Sequence, residues 1–476
     1  MKRLISCVLA LLYVMAGFAS GTWILHGKEY RVDTLYHAYI GPGTTQTSIK
    51  LAGPVNLRVF YTTTDLKNEN VDVRAIKHKD TLTGLGTVSN AAESHSTSNR
   101  SYFAGINADF FSSSMPCGIT VVDGEVYCSD QASGWSLFGI DANKIPYSGG
   151  GDFYVKLTAP DYSTAELSAM NLERETNGLV LYSSRKGANT GTDGNGSEVV
   201  LIPDGEGNFL TPGATVRMRV QGNPNHAGSM PIPDNGYILS GSGTKESFVS
   251  NLSEGDEVEV RCAIRFNGFT GGKIQQALGG CPMLVSGGKV LDTENALDHL
   301  TSAQPRTAVG YNTEKNKLVM LVADGRSSIS VGPISKVLAD IMIYAGCSEA
   351  MNFDGGGSST FYVKGEGVIN QPSDGSERSV TDGLYLSTDA PQNDMTITTI
   401  RFMDYAKTLN QGDAYTPVIY GYNQYGVLVD RNVEGVTLSC GSSLGTITND
   451  GTTLNASGSG THMLTAGYGN LTTTLS

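Results

Sequence analysis

The densest chemistry in the chain lies in Asp354-Gly355-Gly356-Gly357-Ser358-Ser359-Thr360. Three successive glycines let backbone N–H groups turn into one concavity, a nest suited to an anion such as phosphate. Ser358 and Thr360 add hydroxyl donors. The competing reading is a tight turn, since residues 360–363 and 368–370 look like paired strands around Lys364-Gly365-Glu366-Gly367. No Gly-Lys-Ser/Thr follows the glycines, so this is not a nucleoside-triphosphate loop. Ser358 also lacks the second glycine of a hydrolase nucleophile elbow.

Asp354 and Asp324 are the expected working carboxylates, and two carboxylates flanking one bond are the usual equipment for breaking a glycosidic linkage. A metal site competes with this reading. The two aspartates with Asn107 or Asp109 could hold Ca²⁺ or Mg²⁺ through oxygen, although no such cation is expected to be required. The plainer reading of Asp324-Gly325 is a turn cap. Arg306 precedes a strand and could grip an anion with both ends of its guanidinium, and Arg326 and Arg378 are similar candidates. Against these three stands the fact that most arginines simply sit at the surface.

These residues need elements to position them. Residues 317–323 form a continuous apolar run ending at Asp324. A helix is expected after Gly332-Pro333, because Ile334, Val337, Leu338, Ile341 and Ala345 recur at helical spacing and Gly346 closes the pattern. A second short strand, 350–353, then ends at Asp354. Strand, helix and strand predict a parallel βαβ unit with a right-handed crossover, which would bring both carboxylates and the glycine loop to one sheet edge.

Residues 23–79 and 150–262 read as short alternating strands broken by turn clusters at 187–196 and 204–208, and residues 80–100 leave room for one short helix. From 389 onward the chain turns to short Thr-, Val- and Tyr-rich strands with no helix expected. The fold class is therefore α+β. A strand-rich mixed-sheet catalytic domain over 20–388 carries the βαβ unit, and a small immunoglobulin-like β-sandwich follows over 389–476. That last module reads as a spacer or a wall or carbohydrate contact.

Lys2 and Arg3, the apolar stretch 5–16, and the small residues Gly17 and Ala19 make residues 1–19 an expected signal peptide. The mature protein is then periplasmic or secreted, with lipoprotein anchoring at Cys7 the weaker alternative. No later stretch approaches the roughly 20 apolar residues of a membrane helix. Removing the signal moves the formal charge from −13 to −15. With no basic run, an acidic chain of this kind is not expected to bind nucleic acid. The remaining cysteines, Cys117, Cys128, Cys262, Cys281, Cys347 and Cys440, show no zinc spacing. Cys117 and Cys128 could close a short disulfide loop, but buried free thiols are at least as well supported. Most histidines are expected at the surface.

Five stretches in order carry a resemblance: 106–111 (Ile-Asn-Ala-Asp-Phe-Phe), 306–310 (Arg-Thr-Ala-Val-Gly), 322–326 (Val-Ala-Asp-Gly-Arg), 351–360 (Met-Asn-Phe-Asp-Gly-Gly-Gly-Ser-Ser-Thr) and 372–378 (Pro-Ser-Asp-Gly-Ser-Glu-Arg). Together they resemble the phosphodiester glycosidase family over about 100–385. The resemblance implies hydrolysis of a sugar 1-phosphodiester, with N-acetylglucosamine one such sugar, releasing the sugar and leaving a phosphomonoester. It implies a phosphorylated glycan as partner. It also implies a site built from Asn107, Asp324 and Asp354 for catalysis, with Arg306, Thr307, Gly355, Gly356, Gly357, Ser358, Thr360 and Arg378 around substrate and phosphate. A family member carries glycine where this chain has Asp109, and glutamine where it has Arg326, which marks those two as specificity residues. A metal-dependent phosphodiesterase and a non-catalytic cell-envelope glycan binder are the alternatives from other classes.

Overall fold

The computed structural model describes residues 21–476 except 131–133, 206–208, 268, 271 and 293–300. The expected signal segment and Cys7 lie outside the described residues.

Strands dominate. One nine-stranded antiparallel sheet runs in the spatial order Gly21–Leu25, Lys28–Gly41, Thr44–Ala52, Asn56–Asp65, Lys317–Ala323, Arg306–Tyr311, Glu349–Asn352, Met283–Ser286, Lys289–Val290. The apolar run in Lys317–Ala323 reflects burial on both faces. Leu318, Met320 and Val322 point into one core, while Val319, Leu321 and Ala323 point into another. The second of these cores is closed by the helix Ser335–Tyr344, which lays Leu338, Ile341 and Met342 onto the sheet. The expected helical spacing is therefore realised, with Ile334 as its N-cap and Ala345 as its C-cap.

The first core is shared with a five-stranded antiparallel sheet in the order Gly367–Val368, Phe361–Val363, Ser101–Asn107, Asp382–Thr388, Asp72–Lys77. Ala104, Ile106, Phe361, Leu384 and Leu386 face Val309, Met320 and Met351 across it. The outer face of this sheet is covered by the short helix Val88–Ser94 through Val88, Ala91 and Ala92. Two sheets packed face to face, with one helix on each outer side, thus form the body that carries the motifs. A large third sheet, thirteen-stranded, runs from Glu125–Cys128 to Ala169–Met170 with its own core. Its strands Ser136–Asp141 and Ile274–Gly280 reach into the shared core with Phe138, Ile140 and Leu278.

One expectation needs correction. The strands on either side of the helix do not pair with each other. Lys317–Ala323 and Glu349–Asn352 each pair antiparallel with Arg306–Tyr311, so they run in the same direction with that strand between them. The intervening strand comes earlier in sequence, so the strand–helix–strand pattern gives no sign of it. Of the two readings left open for Cys117 and Cys128, the free thiols are the one found, and all six described cysteines are unpaired. Most described histidines keep surface open, as expected; His78 is the buried one, hydrogen-bonded to the Tyr385 hydroxyl at 2.6 Å.

From Thr399 onward the described strands form three small antiparallel sheets around Ile400, Ile419, Leu454, Leu464 and Ala466. Among the described residues this segment has strands and loops, no helix, and its own apolar core. It rests on the Lys28–Gly41 strand through Ala38, Tyr420 and Tyr422. Among the described residues no helix is long and apolar enough to cross a membrane.

Candidate functional site

Strand register decides which motif residues meet. In the nine-stranded sheet Arg306 pairs with Ala323 and Ala308 with Asn352, so the chain leaves the sheet at Asp324 and at Asp354 on either side of Arg306. In the five-stranded sheet Phe361 pairs with Ile106 and Gly383 with Asn107. Thr360, Asn107 and Asp382 therefore lie at one edge. Residues 353–360 carry the chain from the first sheet to the second, across the end of the shared core.

Asn107 ties these ends together. Its Nδ2 donates to the Asp354 carbonyl at 2.7 Å, and its Oδ1 accepts from the Thr307 hydroxyl at 2.8 Å and the Thr360 N–H at 3.1 Å. Thr307 Oγ1 also reaches Ser359 Oγ at 3.2 Å. With Asn107 and Thr307 fully buried, this network determines where the glycine loop sits.

The three glycines each lie against a different arginine strand or loop. A Cβ on Gly355 would sit 2.7 Å from the Pro305 carbonyl and 3.7 Å from Arg306 Cδ. One on Gly356, whose φ is +62°, would meet Arg326 Nη2 at 2.9 Å. One on Gly357 would collide with Arg378 Nη2 and the Asp374 carboxylate. A side chain at any of the three would force the Pro305 carbonyl, Arg326, or Arg378 with Asp374 to move. Arg378 is held by Asp374, with Nη2 to Oδ2 at 2.6 Å, and donates to Ser358 Oγ at 3.3 Å. Arg326 donates to Gln304 Oε1 at 2.7 Å and Ser373 Oγ at 3.4 Å. Arg306 is 2% exposed and donates to the Ser302 carbonyl. Burial, followed by the neighbouring Arg326 charge, pushes its pKa down to about 10, and Asp354 opposes that shift.

Asp354 accepts from the Gly355 N–H at 2.8 Å, and burial raises its carboxyl to about 6 despite Ser358, Gly355 and Arg378. Asp324, 3% exposed, accepts from the Gln371 N–H at 2.8 Å and Asn370 Nδ2 at 3.4 Å. Burial again raises it to about 6. Asn370 also donates to the Ser359 carbonyl at 3.0 Å, linking Asp324 to the far end of the glycine loop.

Asp109 lies one layer below. It is 1% exposed, and its Oδ2 accepts from the Gly118 N–H at 2.8 Å. Its own N–H donates to Asp382 Oδ1 at 2.9 Å. Burial raises both carboxyls. Asp382 has the buried Lys77 ammonium beside it as an offset, whereas Asp109 feels Asp382 and Asp354 as further like charges. Lys77 and Asp382 are the functional-site residues that sequence reasoning missed. The signal that pairs them is the register Asp382 to Lys77. Asn370, Gln371 and Ser359 were missed as well.

Among the described residues no three His, Cys, Asp or Glu side chains converge to hold a metal ion. Asp324 and Asp354 each already accept a backbone N–H.

Residues 212–387 match the phosphodiester glycosidase family. That segment contains Arg306, Thr307, Asp324, Arg326, the glycine loop and Arg378, but not Asn107 or Asp109. The SPbeta prophage-derived protein YomE of Bacillus subtilis is 40% identical over 88 residues, 18% of this chain and 13% of that protein. A Synechocystis structure shares the fold at a TM-score of 0.56 and 16% identity, covering 73% of this chain and 62% of that one. A Burkholderia pseudomallei structure does so at 0.52 and 22%, covering 70% and 75%. The catalytic domain of zebrafish N-acetylglucosamine-1-phosphodiester α-N-acetylglucosaminidase aligns over 74% of this chain and 87% of that one. Its TM-score of 0.39 and identity of 13% are too low to bear on the fold. Across residues 212–387 the chain is thus similar to the phosphodiester glycosidase family, a match that supports a hydrolase of the glycosidase type.

Proposed function

We propose that this protein hydrolyses the glycosidic C–O bond of a sugar 1-phosphodiester, freeing the sugar and leaving a phosphomonoester. The observation that carries this reading is the set of arginines, Arg306, Arg326 and Arg378, lying against three successive glycines beside Asp354. Guanidinium groups held near one another raise each other's energy, and an anion bound between them relieves it. A departing phosphomonoester, with a second pKa of about 6, needs that charge stabilisation more than it needs a proton.

One carboxylate is then enough to start the reaction. Asp354 activates water or attacks the anomeric carbon, and its raised pKa suits a base working near neutral pH. Asp324 contributes negative charge towards the oxocarbenium-like centre and anchors the loop through Asn370 and Gln371. Asn107 and Thr307 act through the loop they hold. No step is assigned to a metal ion. The setting we propose is outside the cytoplasm, with a phosphorylated envelope or extracellular glycan as substrate and the C-terminal strands as a contact to it.

The test is incubation of the full chain with a panel of sugar 1-phosphodiesters, N-acetylglucosamine among them, with EDTA present. Release of reducing sugar together with a phosphomonoester supports the reading. Release of sugar phosphate, or loss of all turnover to EDTA, favours the metal-dependent phosphodiesterase and overturns it.

A further inference from the structure

Two aromatic residues beside the site have no part in the chemistry above. Phe110 follows the buried Asp109, and Trp135 precedes the strand Ser136–Asp141. That strand pairs with Ile274–Gly280, Ser136 opposite Gly280. The partner strand in turn passes directly over Asp109, where a Cβ on Gly279 would lie 2.6 Å from the carboxylate. The same strand pair therefore brings Trp135 to Phe110. Their rings meet edge to face, centroids 4.8 Å apart at 76°. The Phe110 carbonyl is pinned by the Cys117 N–H at 2.9 Å. A Cβ on Gly280 would lie 2.6 Å from the Asn352 carbonyl, so the strand paired with the one Trp135 precedes runs beside the segment that leads to Asp354.

Both stand where the buried strands give way to open chain. Ala108, Asp109, Ser136 and Leu137 are buried, while Phe110 and Trp135 keep part of their surface open. Neither belongs to the apolar clusters of the described residues, although the next residue, Phe111, packs against one. Aromatic rings left open beside a polar site, and braced in orientation by each other, are characteristic of a binding surface rather than a core. A pyranose presents a face of C–H groups that such a ring accepts.

We infer that Phe110 and Trp135 form a platform on which the sugar ring of the substrate stacks, opposite the arginine-lined phosphate side. This rests on the glycosidase reading above and names the part of the site that reads the sugar.

The protein has two tryptophans, and the other, Trp23, stacks on Tyr344 at the far edge of the nine-stranded sheet. In Trp23→Phe, Trp135 is thus the sole tryptophan and its fluorescence reports on the platform. Titration with N-acetylglucosamine 1-phosphate or glucose 1-phosphate is expected to change that emission, and inorganic phosphate to leave it unchanged. Trp135→Ala is expected to raise KM roughly five- to tenfold with a much smaller loss in kcat, and Trp135→Phe to restore most of it. A sugar phosphate bound by calorimetry with constant Trp135 emission overturns the platform and leaves the glycosidase reading standing, as does Trp135→Ala with unchanged KM. A change in emission in a protein that turns over no phosphodiester supports the platform and sinks the reaction. Failure of both sugar phosphates to bind overturns the platform, while the reaction is judged separately by turnover of the phosphodiester panel.

Discussion

The Thr307 hydroxyl donates to Asn107 Oδ1 at 2.8 Å, joining residues 200 positions apart and the ends of two different sheets. Asn107 also holds the Asp354 carbonyl and the Thr360 N–H, so both ends of the glycine loop depend on one amide side chain.

Removing the Thr307 hydroxyl and removing the Asn107 amide should therefore differ in cost. Thr307→Val deletes the hydroxyl contacts to Asn107 Oδ1 and Ser359 Oγ but leaves the amide's grip on the loop, and is expected to cost about 1 kcal/mol in urea unfolding. Asn107→Ala strands a buried N–H and a buried carbonyl, and is expected to cost about 2–4 kcal/mol and to lower kcat at least a hundredfold. Equal costs for the two variants would contradict the network.

Asp324 gives a pH signature in stability. Its folded-state pKa of about 6 lies above the unfolded value, so the native carboxyl holds its proton over a range where the unfolded one has lost it. The charge penalty is absent below about pH 4, grows as pH rises, and is complete above about pH 6. Asp324→Asn, which keeps an oxygen for the Gln371 N–H, should gain on the wild type between pH 4 and pH 7.5 by on the order of 2–3 kcal/mol. Melts of both proteins at those two pH values check this, and a constant difference would refute it.

Asp354 gives a signature in activity. As a base it must be ionised, so kcat/KM is expected to fall as pH drops through about 6. Asp354→Asn should lose at least a thousandfold in kcat while folding as well as the wild type by melting. A pH profile flat down to pH 4.5 would remove Asp354 from this role.

The anion side is tested through Gly357 and Arg378. Gly357→Ala must push the Arg378 guanidinium and the Asp374 carboxylate away from the loop. Arg378→Lys keeps the charge but loses the two-pronged hold on Asp374. Both variants are expected to raise KM at least tenfold and to weaken competitive inhibition by inorganic phosphate in parallel. Weakened substrate binding with unaltered phosphate inhibition would place the phosphate elsewhere.

Much of this site could be read from local pattern, because strand ends, a glycine run and a helical repeat are local features. Ile334 to Ala345 gave the helix, and residues 354–360 gave the loop. What could not be read depends on register and strand order. Lys77 follows Ala75 and Ile76 with nothing in the local pattern to single it out, and pairing with Asp382 buries it. The Arg306–Tyr311 strand separates two strands that a sequence pattern places side by side. Asp109 reads from sequence as a specificity residue, and only the passage of Gly279 above it shows that it is covered.

The central claim, that the bond broken is the one between sugar carbon and oxygen, is tested most directly by hydrolysis of a sugar 1-phosphodiester in ¹⁸O-enriched water. Mass spectrometry of both products should find the label on the sugar and none on the phosphomonoester; label on the phosphate would contradict the account.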